Sequence, residues 1–287
     1  MIPKSFITDG FYNPNAPKKR RRLLIGIDGP TNSGKTEFGL SAPGPGICLC
    51  LDPGYEGMED KEEPPASRNP DIVFKHIKVK MREESKGTDE YVKDWIAYRD
   101  LCYKAYANVD CLSVILDGDG DSYELQTLAE FGKVTQIPQL ARDPLMAKRK
   151  LFIRRAFDSG KNIIATYKVK QKWVPIIDPI TGEPVRKDGR IEKEAHPTDM
   201  DRRGFPDQDY LYMVQLRTMR RKSEDFIIPA GPKKGQVKPG KTEFGIIIMK
   251  CKIDTKYEGV ELWNDKCCFK GLVELLYPHS SPADWGM

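Results

Sequence analysis

Apolar residues along the chain gather in short, nearly unbroken runs that end on polar residues: Leu23-Leu24-Ile25-Gly26-Ile27, Ile47-Cys48-Leu49-Cys50-Leu51, Cys111-Leu112-Ser113-Val114-Ile115-Leu116 and Asn162-Ile163-Ile164-Ala165-Thr166-Tyr167. Runs of this length and β-branched content predict strands buried on both faces, as in a parallel sheet. Between them the spacing turns helical. Thr88 to Asn108 carries Val92, Trp95, Ile96, Leu101, Cys102 and Tyr106 on one face with Thr88 as N-cap, and further helices are predicted over Ser122–Gly132 and Pro144–Asp158. Ile72 to Val79 alternates as another strand. After a turn-rich stretch at 171–206, strands return at Tyr210–Arg217, Phe226–Pro229, Phe244–Ile253 and Tyr257–Trp263, before a short closing helix. Strands alternating with helices predict an α/β fold: a mainly parallel central sheet, helices on both faces, and late strands antiparallel at one edge.

The first apolar run leads straight into "GPTNSGKTEFG" from Gly29, which fits the phosphate-loop pattern G-x-x-x-x-G-K-[ST]. Such a loop works when it leaves a buried strand and opens a helix whose first backbone N–H groups face the phosphates. "GQVKPGKTEFG", from Gly235, fits the same pattern. It is preceded by turn and charge ("PAGPKK") and followed by the strand-like Phe244 to Met249, so the first copy is expected to hold nucleotide and the second is not. The expected nucleotide contacts are Gly29, Pro30, Thr31, Asn32, Ser33, Gly34, Lys35, Thr36 and Glu37, with Lys35 on β/γ oxygens and the Thr36 hydroxyl on Mg²⁺. The strand through Leu116 ends in Asp117-Gly118, the Walker B form, and places Asp117 on the same Mg²⁺. Asp52 stands at the corresponding end of the second strand, with Glu56 four residues beyond.

Composition narrows the class. At 287 residues, 39% hydrophobic and 31% charged, the chain reads as an ordinary globular protein, with no run near the ~18 apolar residues of a membrane span and no signal-peptide core, so a cytoplasmic protein is expected. Seven cysteines show no C-x-x-C spacing and three histidines are scattered, which sets aside zinc and histidine-based hydrolysis and leaves Mg²⁺ as the expected metal. Net charge is only +5, but the cations cluster at Lys18–Arg22, at Lys148-Arg149-Lys150 with Arg154-Arg155, at Lys168-Lys170-Lys172 and from Arg217 to Lys241. Clusters of that kind in a phosphate-loop protein point to a polyanion partner.

The order of phosphate loop, acid-ended strand, Walker B strand, "NIIATYKVK", long loop and the pair "YLYMVQLRTMRR" and "FGIIIMKCKID" resembles the RecA core over about residues 23–255. The abrupt "SAPGPG" and the strand end "LCLDPGYEG" are similar to phage RecA-core ATPases of the single-strand-annealing type. The resemblance implies an ATPase that binds ATP and Mg²⁺, binds and anneals single-stranded DNA during recombination, assembles as a ring or filament, and works beside a single-stranded-DNA-binding protein. It implies that Glu56 or Asp52 orients the attacking water, that Lys168 stands where RecA senses the γ-phosphate with glutamine, and that Lys250 and Lys252 reach a neighbouring subunit's γ-phosphate. DNA contacts are expected at Lys170, Lys172, Arg202 and Arg203, with Trp173 or Phe205 as stacking residues; for Trp173 a packing role in a hairpin is the alternative. A nucleoside or nucleotide kinase with 171–206 as lid, or a nucleotide-gated scaffold of weak turnover, are the rival functions. The expected organisation is a polar, basic leader over 1–22 and one ATPase domain over 23–287, with a flexible basic loop at 171–206 and a second basic loop at 231–241.

Overall fold

The four apolar runs lie side by side as parallel strands in a computed structural model that describes residues 21–51, 68–79, 81–82, 85–133, 137–179, 181–187, 190–205, 210–223, 226–227, 237–238 and 240–287. They are β1 (Leu24–Gly29), β2 (Gly46–Cys50), β4 (Ser113–Asp117) and β5 (Asn162–Pro175); β3 (Ile72–His76) extends the sheet beyond β2. On the other side of β1 stand β9 (Val214–Lys222), β12 (Thr242–Cys251) and β13 (Glu261–Trp263), giving the order β13-β12-β9-β1-β5-β4-β2-β3. β9 runs parallel to β1, whereas β12 and β13 are antiparallel, so the expected α/β fold with antiparallel strands at one edge is the fold found. Every residue of β1 and of β4 is buried, which is why neither reads as alternating.

Helices cover both faces. α1 (Lys35–Leu40) and α5 (Phe269–Leu276) pack one side through Phe38, Leu40, Phe269 and Leu272 against Ile25, Ile27, Val214, Leu216, Ile246 and Ile248. On the other side, α2 (Thr88–Ala107), α3 (Asp119–Phe131) and α4 (Gln139–Asp158) bury Tyr91, Trp95, Tyr98, Leu125 and Phe152 against Leu24, Val114, Leu116, Ile163 and Ala165. Thr88 is the first residue of α2 rather than its cap: Gly87 takes that place, and its N–H is held by Glu90 Oε2 at 2.9 Å. α3 begins earlier than expected, at Asp119, because the left-handed turn at Gly118 (φ 89°) sends the chain directly from β4 into the helix. No helix among the described residues is long and apolar enough to cross a membrane.

The largest departure from the sequence reading lies in residues 171–206. β5 runs on past the sheet to Pro175 and pairs antiparallel with β8 (Lys193–Arg202), while β6 (Arg186–Lys187) and β7 (Arg190–Ile191) pair near its tip. The described part of this segment is a β-arm, not a loop. Its polar turns misled because an arm standing off the sheet has no core face to show an apolar stripe. β10 (Phe226–Ile227) and β11 (Val237–Lys238) pair antiparallel.

Candidate nucleotide site

β1 and β4 are separated by β5 alone, so the phosphate loop and Asp117 open at the same edge of the sheet with Thr166, Tyr167 and Lys168 between them. The loop's glycines are required by its packing. A Cβ on Gly29 would lie 2.0 Å from Thr218 Oγ1, and Gly34 has φ 91°, a left-handed conformation that L side chains rarely adopt. Asn32 is also left-handed (φ 58°), as asparagine tolerates. Ser33 Oγ donates to Pro30 O at 2.6 Å and meets Thr218 Oγ1, which itself reaches Asp28 O at 3.2 Å, so the loop is pinned to β9.

Lys35 Nζ folds over the loop onto Gly29 O at 3.0 Å and Pro30 O at 2.6 Å. Thr36 Oγ1 donates to Asp117 at 3.0 and 3.2 Å, bringing the two expected Mg²⁺ ligands together across 81 residues of sequence. A Thr hydroxyl and one carboxylate are the hard oxygen donors that Mg²⁺ takes alongside phosphate and water, so these residues fit the metal. Asp117 is oriented by a residue the sequence reading missed. Thr166 Oγ1 donates to Asp117 Oδ1 at 2.7 Å and accepts from Gly118 N–H at 2.9 Å. Its only signal was a hydroxyl near the end of an apolar strand.

Above the loop lies a cavity of about 330 Å³, lined by Thr31 through Glu37, Asp117, Gly118, Thr166 to Lys168 and Phe244. A second cavity of about 940 Å³ shares Gly34, Glu37 and Phe244 with it and runs on past Phe38, Ser41, Asn69, Asn264, Asp265 and Cys268. Glu37, expected on the nucleotide, faces both cavities and is paired with Arg68 at 2.6 Å. Burial pushes the Cys267 thiol of the second cavity up to about 12, so it is a neutral wall residue. Lys168 lines the first cavity and pairs with Asp121 at 2.8 Å. Asp52 and Glu56 lie outside the described residues; Leu51 N–H bonds Asp117 O at 2.9 Å, so the chain leaves β2 at the Walker B aspartate.

The second GKT copy has a different surrounding. Thr242 opens β12, Lys241 and Ser223 exchange backbone and side-chain hydrogen bonds across the β9–β12 hairpin, and no helix follows. Lys250 and Lys252 project outward with Cys251 buried between them, as strand alternation requires. The register sets Cys251 opposite Val214 and Val214 opposite Ile25, four residues before Gly29, so the pair sits about 13 Å down the sheet from its own phosphate loop. Lys252 Nζ bonds Tyr210 O, and Lys250 Nζ lies 5.8 Å from the Tyr210 ring centroid.

Of the expected DNA contacts, Lys170, Lys172 and Trp173 are on the arm, with Trp173 60% exposed opposite Ala195. Arg203 is half-exposed and paired with Glu124. Two others are corrected. Phe205 is 1% exposed and stands edge-on to Tyr123 in the core, where no base can stack on it. The Arg202 side chain, 8% exposed, is held against Asp28 at 2.9 Å and over the Tyr167 ring, because a carboxylate inside β1 needs a cation. Arg149, counted in a basic cluster, is likewise fully buried on Asp119.

No family model matches this chain, and no curated protein does. Among solved structures it is similar to a KaiC-like protein from the hyperthermophilic archaeon Pyrococcus horikoshii OT3, at 10% identity over 83% of each chain with a TM-score of 0.37, an overlap too slight to bear on the site or its chemistry.

Proposed function

We propose that the chain binds ATP with Mg²⁺, hydrolyses it, and couples this to binding and annealing of single-stranded DNA in recombination, as the resemblance to phage RecA-core ATPases implies. The observation that carries the reading is the Thr36–Asp117 contact beneath a strand-led phosphate loop, with Lys35 at its centre and an open cavity above. Lys35 and the loop amides hold the phosphates, Thr36 and Asp117 hold the metal, and the nucleoside extends past Phe244 into the second cavity. When held by Thr36 and Asp117, Mg²⁺ would supply positive charge against the phosphoryl oxygens. Thr166 keeps the Asp117 carboxylate turned to that metal, Lys168 donates to phosphate from the β5 side, and Glu56 or Asp52 orients the water.

Single-stranded DNA lies on the arm, where Lys170 and Lys172 meet backbone phosphates and Trp173 stacks a base, with Arg203 at the arm's root. Subunits assemble as a ring or filament in which Lys250 and Lys252 act on a neighbour's nucleotide, and a single-stranded-DNA-binding protein supplies the coated strand. Their distance from the phosphate loop of their own subunit is what favours action in trans. The test is ATP turnover with and without single-stranded DNA, with nucleosides as control acceptors. DNA-stimulated release of phosphate is expected, and phosphoryl transfer to a nucleoside would mean a kinase instead. Each phosphate neutralised should add about −0.7 to the log–log salt slope of DNA binding, and a flat slope would refute the DNA partner.

A further inference from the structure

β9 does not stop at the phosphate loop. Thr218, level with Gly29, touches Ser33, and the strand continues through Met219, Arg220 and Arg221 to Lys222. Alternate strand residues share a face. Val214 and Leu216 are in the core on the α1 side, Thr218 meets the loop on that side, and Arg220 therefore projects from it too, about 6–7 Å further along the strand. The partner strand agrees independently. Ile248, Ile246 and Phe244 oppose Leu216, Thr218 and Arg220 in turn; the two isoleucines are in the same core. Phe244 approaches Gly34 so closely that a Cβ there would stand 3.5 Å from its ring.

Arg220 thus stands opposite Phe244, a residue that lines both the phosphate cavity and the second cavity. It is exposed, and among the described residues it has no ion-pair or hydrogen-bond partner. Its neighbour Arg221, on the opposite face, is held by Glu243 at 2.7 Å and lies 4.1 Å over the Trp263 ring. Of two adjacent arginines, one is neutralised and stacked, and the other stands opposite Phe244, on the face of β9 that meets the phosphate loop. Guanidinium offers a planar fork of donors that matches phosphate oxygens.

We infer that Arg220 is a phosphate-binding residue of the nucleotide cavity, supplied by the same chain, and that it contacts the phosphate nearest the nucleoside. The inference rests on the nucleotide reading above. Asp117 and Lys168 stand at the ends of β4 and β5, where the terminal phosphate belongs, with Lys35 over the loop between them and β9. Phe244, which lines both cavities, marks the side where the second cavity begins, and Arg220 is its partner across the β9–β12 pair. A contact to that inner phosphate is made equally with ATP and ADP, so it is uniform binding that affects KM rather than kcat.

The experiment is a titration of ATP and of ADP, with Mg²⁺ and without DNA, on wild type, R220A, R220K and R221A, with melting temperatures to confirm folding. The expected result is a tenfold or greater loss of affinity for both nucleotides in R220A, partial recovery in R220K, and R221A within twofold of wild type. A loss smaller than tenfold for both nucleotides in R220A would overturn the inference. A loss for ATP alone would overturn the placement at the inner phosphate. Failure of the nucleotide reading would be distinct: wild type would then bind neither nucleotide.

Discussion

Replacing Arg149 with methionine removes one member of an ion pair whose two side chains are fully buried, Nη2 standing 2.6 Å from Asp119 Oδ1. Asp119 is left with the Ser122 hydroxyl at 2.8 Å and the Tyr167 hydroxyl at 2.6 Å, and, among the described residues, with no cation. Burial works most strongly against the Arg149 charge, but its surroundings, the Asp119 carboxylate foremost, together outweigh it and hold the guanidinium above its ordinary range; burial and Asp119 together push the Tyr167 phenol up, so it stays a donor. Breaking a buried pair from one side costs about 3–5 kcal/mol, because a charge remains in the interior, against a total stability of about 5–15 kcal/mol. At about 2.1 cal/mol/K of unfolding entropy per residue, a chain of 287 residues should then melt about 5–8 °C lower. The double variant Arg149→Met with Asp119→Asn carries neither charge and should regain much of the loss, since replacing both partners of a buried pair is often close to neutral. Thermal melts of wild type, single and double variants check this. A single variant melting with wild type, or a double variant melting no higher than the single, would refute the claim that an uncompensated carboxylate is the cost.

Lys35→Ala should abolish nucleotide binding while Lys241→Ala leaves it within a few-fold, as direct titration would show; equal losses would reverse the choice between the two GKT copies. Lys250→Ala with Lys252→Ala should spare nucleotide binding by the isolated subunit and remove DNA-stimulated turnover, and mixing this variant with Lys35→Ala subunits should restore part of it. Full turnover in the double variant would return the pair to surface charge. Burial pushes the Glu124 carboxyl up, but Arg82 and Arg203 outweigh it and hold the group below its usual 4.5. A lowered carboxyl contributes stability above its unfolded value that is lost as pH falls through the folded one, so Glu124→Gln should flatten the decline in melting temperature below pH 4.5.

What the sequence showed of the site was its local part. The phosphate loop needs a strand, a turn and a helix within a few residues, and Asp117 ends an apolar run, so both were legible from neighbours alone. The cation clusters were not. Lys148, Arg149 and Lys150 are adjacent in sequence, yet Lys148 pairs with Glu130 at the surface at 2.7 Å while Arg149 is fully buried on Asp119, because successive helix residues point in different directions. Phe205 and Trp173 looked alike as aromatics in polar surroundings. The fold separates them: Phe205 returns to the core at the foot of the arm, and Trp173 stands on the part of the arm that leaves it.

Asp28 shows why such contacts escape a linear reading and what they accomplish. A carboxylate in a strand as apolar as β1 cannot stay buried and charged without cations, but its partners lie 174 and 189 residues away. Arg202 reaches it at 2.9 Å from the foot of the arm, and Arg217 at 2.7 Å from β9, while Arg217 also bonds Met200 O on β8 at 3.0 Å. The strand that enters the phosphate loop, the root of the arm and the strand that carries Arg220 therefore converge on one buried carboxylate. Shifting any of the three would pull apart charges that are costly to separate inside a protein. That gives the arm and the loop a shared rigid base, one residue before Gly29, rather than a flexible tether between them.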